Sequence, residues 1–149
     1  MTDQHEVTIL VAEDDPDDRL LIDDALSESR LCNKIRFAHD GEELMQYLRN
    51  EGKFADEIEN PRPGLILLDL NMPKMDGREA LSEIKKDADL RRIPVVILTT
   101  SKAEEDVLKT YDLGVSSFIT KPVSFEDFVD VMQTIGKYWF KIVHLPADD

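Results

Sequence analysis

Residues 65–69 read Leu65-Ile66-Leu67-Leu68-Asp69, four aliphatic side chains in a row closed by a carboxylate. A strand with one face in water alternates apolar and polar residues. A strand covered on both faces does not, because successive side chains point to opposite sides and both sides are dry. Leu65–Leu68 therefore reads as a doubly covered strand. Outward from it, the same signature recurs at Val7–Ala12, at Ile93–Leu98 and more weakly at Ser117–Thr120. A fifth run, Lys34–Ala38, mixes Ile35 and Phe37 with charge and suits a position nearer an edge. Helical spacing fills the intervals: Leu21, Ile22, Ala25 and Leu26; Leu44, Met45, Tyr47 and Leu48; Ala80, Leu81 and Ile84; Val107, Leu108 and Tyr111. The longest stripe comes last, with Phe125, Phe128, Val129, Met132, Ile135 and Trp139. Strand then helix, five times over, predicts an α/β protein with a doubly wound, five-stranded parallel sheet.

The chain has 149 residues, with 18 Lys and Arg against 32 Asp and Glu and a formal net charge of −14. One domain over residues 1–149, with its core at about 8–140, suits that length. The acidic balance argues against a nucleic-acid grip, which needs a basic footprint, and against anionic membrane surfaces. Cys32 is alone, so no internal disulfide and no cysteine-based zinc site is expected. The opening MTDQHEV lacks the pattern of a secretory signal. No apolar run approaches the roughly 18 residues of a membrane helix. A soluble, cytoplasmic protein is expected, binding neither nucleic acid nor membrane. The 14 residues Glu51–Gly64, rich in Gly, Pro and Asn, form the longest expected loop.

In doubly wound sheets ligands collect outside the carboxyl ends of the strands. Glu13–Asp15, Asp69–Asn71, Thr99–Ser101 and Lys121 fall there. Asp15-Pro16-Asp17-Asp18 is explained as a helix start: an Asp cap, a proline at the first helical position and acids in the first turn. That explanation does not extend to Glu13 and Asp14, which end a buried strand where carboxylates are costly unless something positive answers them. Asp69 poses the same problem, although a capped or solvated carboxylate at a strand end is common. If the first and third strands are neighbours, three acids converge, and a divalent cation with oxygen ligands answers them; Mg²⁺ fits. Taken singly, Lys121 reads as a solvated loop lysine and Thr99 as a β-favouring residue. Carboxylates, a hydroxyl and an ammonium at one rim read together as a phosphate-handling site.

These residues resemble a known family, the receiver domains of two-component response regulators, from about Thr8 to Trp139. The matching stretches are Ile9–Asp14 (ILVAED), Leu67–Gly77 (LLDLNMPKMDG), Ile93–Thr99 (IPVVILT) and Phe118–Pro122 (FITKP). The resemblance implies a flavodoxin-like sheet of strand order 2-1-3-4-5 with five helices. It implies Asp69 as phosphoacceptor, and Mg²⁺ held by Glu13, Asp14 and Asp69 with the backbone carbonyl of Asn71. It further implies Thr99 and Lys121 as the groups that bind the phosphoryl oxygens, and Phe118 as an aromatic switch. The long 51–64 loop, the Leu98-Thr99-Thr100-Ser101 segment and the Tyr138-Trp139-Phe140 ending look most like stand-alone regulators partnered with bacterial phytochrome kinases. Thr100 departs from the smaller residue common in the family, and with Ser101 it is a candidate modulator of access to the phosphate.

The implied function is a switch, not an enzyme: a sensor histidine kinase donates a phosphoryl group and protein–protein contacts change. A phosphorelay intermediate or a phosphate sink is the alternative within that class. From another class, the haloacid-dehalogenase-like phosphatases also pair a strand-end Asp with Mg²⁺. They need a second acid two residues on, where this chain has Asn71. A homodimer through helix four, strand five and helix five is expected, with Val131, Tyr138 and Phe140 off the core-facing stripe as candidate contacts. Scattered surface apolar residues are the plainer explanation of those three.

Overall fold

Strands β1 (Thr8–Ala12), β2 (Lys34–Ala38), β3 (Leu65–Asp69), β4 (Val95–Thr99) and β5 (Ser117–Thr120) pair in parallel in the order β2-β1-β3-β4-β5. The structure, a computed structural model, describes residues 8–29, 34–70, 72, 74, 75, 77–99, 117–120, 124, 126–131, 133 and 134. Helices α1 (Pro16–Ser29), α2 (Gly41–Leu48) and α3 (Gly77–Lys86) follow the first three strands, and a helical stretch at 126–131 lies after the fifth. The expected helix marked by Val107, Leu108 and Tyr111 lies outside the described residues, as does Cys32.

The missing alternation in the strands has the cause expected of it. Leu10, Ala12, Ile66, Leu68, Val95 and Ile97 pack on one side of the sheet with Leu44, Met45 and Tyr47 of α2 and Ala80, Leu81 and Ile84 of α3. Their neighbours Ile9, Val11, Leu65, Leu67, Val96 and Leu98 pack on the other side with Ile22, Ala25 and Leu26 of α1 and with Phe128. Both faces are dry, so each central strand reads as an unbroken apolar run. β2, at the edge, is half-buried over residues 34–37, which is why charge survives in it.

One feature goes beyond the expectation and one departs from it. The 51–64 loop is a folded element: it contains a 3₁₀ turn, Gly52–Phe54, whose Phe54 is buried against Tyr47 with ring centroids 5.3 Å apart. Tyr47 Oη donates to Pro61 O over 2.8 Å, and Asn50 Nδ2 donates to Phe54 O and Asn60 O, each over 3.1 Å. Val131 is the second. It is half-buried and packs against the cluster around Ile22 and Phe128. A residue three positions past Phe128 returns to the flank of the helix that Phe128 occupies, so Val131 does not stand off the core-facing stripe.

Candidate functional site

Register alone brings the acids together. Ala12, the last residue of β1, is opposite Leu68 of β3, so the residues that follow them are Glu13, just past β1, and Asp69, the end of β3. Both are buried, at 1% and 3% exposure, whereas Asp14 is exposed. Carboxylate oxygens of Glu13, Asp14 and Asp69 all lie within 4.8 Å of one another. At an effective dielectric constant near 20, two unit charges at that separation repel by about 3 kcal/mol. The set is all oxygen, small and anionic, which fits a hard divalent cation such as Mg²⁺ or Mn²⁺.

The next strands extend the same rim. Asp69 pairs with Leu98, and Thr99 pairs with Thr120, so the end of β4 and the end of β5 lie in order beyond β3. Phe118 on β5 is half-buried against the core on the α2–α3 side. At Thr99 the description reaches the backbone alone, and Asn71, Thr100, Ser101, Lys121, Tyr138 and Phe140 lie outside the described residues.

Local bonds hold the acidic end of β1 in place. Glu13 N–H donates to Ala38 O over 3.0 Å, and Asp15 N–H donates to Glu13 Oε2 over 3.2 Å. Asp15 Oδ1 accepts from the backbone N–H of Asp17 over 2.8 Å and of Asp18 over 3.4 Å, which is the helix cap its sequence context predicts. Sequence reasoning missed Arg19, whose Nη1 donates to Glu13 O and Asp14 O. The signal available was a cation one helical turn beyond the acids.

The loop leaving Asp69 is held by close backbone approaches, also unrecognised in the sequence. Gly77 N–H donates to Leu70 O over 3.0 Å, and a Cβ on Gly77 would lie 2.6 Å from Asp69 O. Gly41 N–H donates to Met75 O over 2.9 Å. Asp40 caps α2, accepting from Glu43 N–H over 2.8 Å at one oxygen, while Lys74 Nζ lies 3.8 Å from the other. Lys74 takes a left-handed backbone, φ 62°. An Asp-Gly pair after a strand announces a turn, but not that the turn grips a second loop.

A parallel sheet of this order with a carboxylate cluster at its carboxyl rim is a doubly wound α/β module with a candidate divalent-cation site. Residues 9–133 match the response regulator receiver domain, and the chain belongs to that family. It is 43% identical over 139 residues to the response regulator Rcp1 of Synechocystis sp., an alignment covering 93% of this chain and 92% of that protein. Its fold matches the phosphorylated cyanobacterial phytochrome response regulator RcpA with a TM-score of 0.80 at 43% identity, covering 91% of this chain and 95% of that one. The Mn²⁺-bound form of Rcp1 matches with a TM-score of 0.77 at 41% identity, covering 91% and 96%.

Proposed function

We propose that the protein is a response regulator that accepts a phosphoryl group on Asp69 from a sensor histidine kinase and signals by altering its protein contacts. The observation that carries this reading is the convergence of Glu13, Asp14 and Asp69 within 4.8 Å at the rim where β4 ends in Thr99. Glu13, Asp14 and Asp69, with the backbone carbonyl of Asn71, would hold Mg²⁺. When bound, that ion offsets the carboxylate charge and the charge on the transferring oxygens.

In the transfer, a carboxylate oxygen of Asp69 attacks phosphorus, the P–N bond to the kinase imidazole breaks, and an acyl phosphate forms. The side chain thereby gains about one further negative charge. Lys121 pairs with the phosphoryl oxygens and the Thr99 hydroxyl donates to one of them, drawing β4 toward the new charge. Phe118, half-buried one strand away, responds by turning inward and changes the outer face next to β5. Thr100 and Ser101 are the candidate modulators of water's access to the acyl phosphate and so of its lifetime. Self-phosphorylation from small donors and self-dephosphorylation are the only chemistry this reading requires; it needs no turnover of another substrate.

A kinase of the bacterial phytochrome type is the proposed donor, supported by the likeness to RcpA over 91% of this chain. Among the described residues no helix is long and apolar enough to cross a membrane; a cytoplasmic site of action is part of the proposal. One domain over residues 1–149 and a homodimer through helix four, strand five and helix five complete the proposal. Acetyl phosphate with Mg²⁺ tests it by intact mass: the protein gains one phosphoryl group and Asp69→Asn gains none. Stoichiometric labelling of Asp69→Asn excludes Asp69 as the acceptor.

A further inference from the structure

β1 ends at Ala12, and the next two carbonyls find a partner outside the sheet. Arg19 Nη1 donates to Glu13 O over 3.0 Å and to Asp14 O over 2.9 Å, so one nitrogen bridges consecutive peptide units. Arg19 is rooted in the first turns of α1, where its own N–H donates to Asp15 O over 2.9 Å. The Glu13-Asp14-Asp15 segment is therefore tied at Glu13 N–H by β2, at both acid carbonyls by Arg19, and at the Asp15 carboxylate by the start of the helix. Those are the peptide units that aim two of the three converging carboxylates.

We propose that Arg19 is a positioning residue for the divalent-cation site, fixing the peptide planes of Glu13 and Asp14 so that their carboxylates converge on Asp69. The inference rests on the reading of Glu13, Asp14 and Asp69 as that site. Two effects of Arg19 oppose each other. Its charge stands beside the site and repels a cation, so a purely Coulombic role has Mg²⁺ bind more tightly once the charge is removed. Its hydrogen bonds hold the ligands in register, so a positioning role has Mg²⁺ bind more weakly. Groups that orient metal ligands typically contribute about 10- to 100-fold in metal affinity. Lysine keeps the charge but has a shorter reach and no guanidinium fork. Glutamine removes the charge and also falls short of the two carbonyls.

Calorimetric titration of Mg²⁺ into the full chain, its Arg19→Lys variant and its Arg19→Gln variant decides the matter, with circular dichroism checking the fold. Lys and Gln are both good helix formers, and Arg19 is partly exposed, so α1 tolerates either. Both variants are expected to bind Mg²⁺ about tenfold more weakly, with acetyl-phosphate labelling restored at saturating Mg²⁺. Either variant binding Mg²⁺ as tightly as the unmodified protein, or more tightly, overturns the inference. An unmodified protein that binds no Mg²⁺ overturns the metal-site reading itself, so the two failures are distinct.

Discussion

The amide of Gly41 donates to the carbonyl of Met75 over 2.9 Å, joining the first residue of α2 to the loop that leaves Asp69. Lys74, one position earlier, faces the Asp40 cap of the same helix. The chain that turns away from Asp69 is thus held by an element that follows a different strand. In an ordinary helix Gly→Ala stabilises by about 0.8–1.0 kcal/mol. Here the added methyl would collide with the Met75 carbonyl and its Cβ. Overpacking against backbone outweighs the propensity gain, and Gly41→Ala is expected to destabilise by about 1–3 kcal/mol. Urea unfolding measures it, and a variant more stable than the unmodified protein would show that the loop yields freely.

Mg²⁺ should stabilise the folded chain, because a ligand bound by the folded form alone adds about 2.7 kcal/mol at a hundredfold excess over its Kd. Asp14 is the exposed member of the acidic cluster, so Asp14→Asn relieves repulsion without burying an unpaired group. Its metal-free melting temperature should rise, and its gain on adding Mg²⁺ should shrink. Differential scanning calorimetry with and without Mg²⁺ reads both changes; identical curves for the unmodified protein speak against a cation here.

Burial pushes the Tyr47 phenol up from 10.0 to about 12. The folded state therefore retains this proton where the unfolded chain has lost it. The associated stability is fully present below about pH 10 and declines as pH rises through the interval to about 12. Tyr47→Phe removes the bond to Pro61 O, at a cost of about 0.5–1.5 kcal/mol near neutrality. It should also flatten the alkaline decline relative to the unmodified protein. Denaturant midpoints from pH 8 to pH 12 test the pair of effects; parallel declines would remove Tyr47 from the account.

For assembly, Tyr138 and Phe140 are the proposed anchors of a homodimer, whereas Val131 packs on the core cluster. Aromatic residues are enriched where protein surfaces meet. Light scattering over a concentration series should give a dimer mass, and the double variant Tyr138→Ala, Phe140→Ala should move it toward monomer. A chain that stays monomeric at high concentration, phosphorylated or not, assigns those side chains to a different partner.

Apolar runs at Val7–Ala12, Leu65–Leu68 and Ile93–Leu98 were enough to infer a doubly covered parallel sheet, and the acids at the ends of the first two were enough to infer an acidic cluster. Both inferences work because burial and charge act residue by residue, so they leave a local mark in composition. The edge position of β2 was legible for the same reason, through Lys34 and Arg36. The grip of Arg19 on Glu13 and Asp14, the Gly41–Met75 bond and the packing of Phe54, within the 51–64 loop, against Tyr47 were not legible. Val131 lies off the stripe drawn from the sequence yet packs on the core, because it stands three positions past the buried Phe128. Gly41 and Met75 are 34 positions apart, and their contact depends on where α2 and the loop after β3 cross, which no period along the chain encodes. Local physics selected the elements and the chemistry of their ends; the packing of the elements against one another decided which backbone groups hold that chemistry in place.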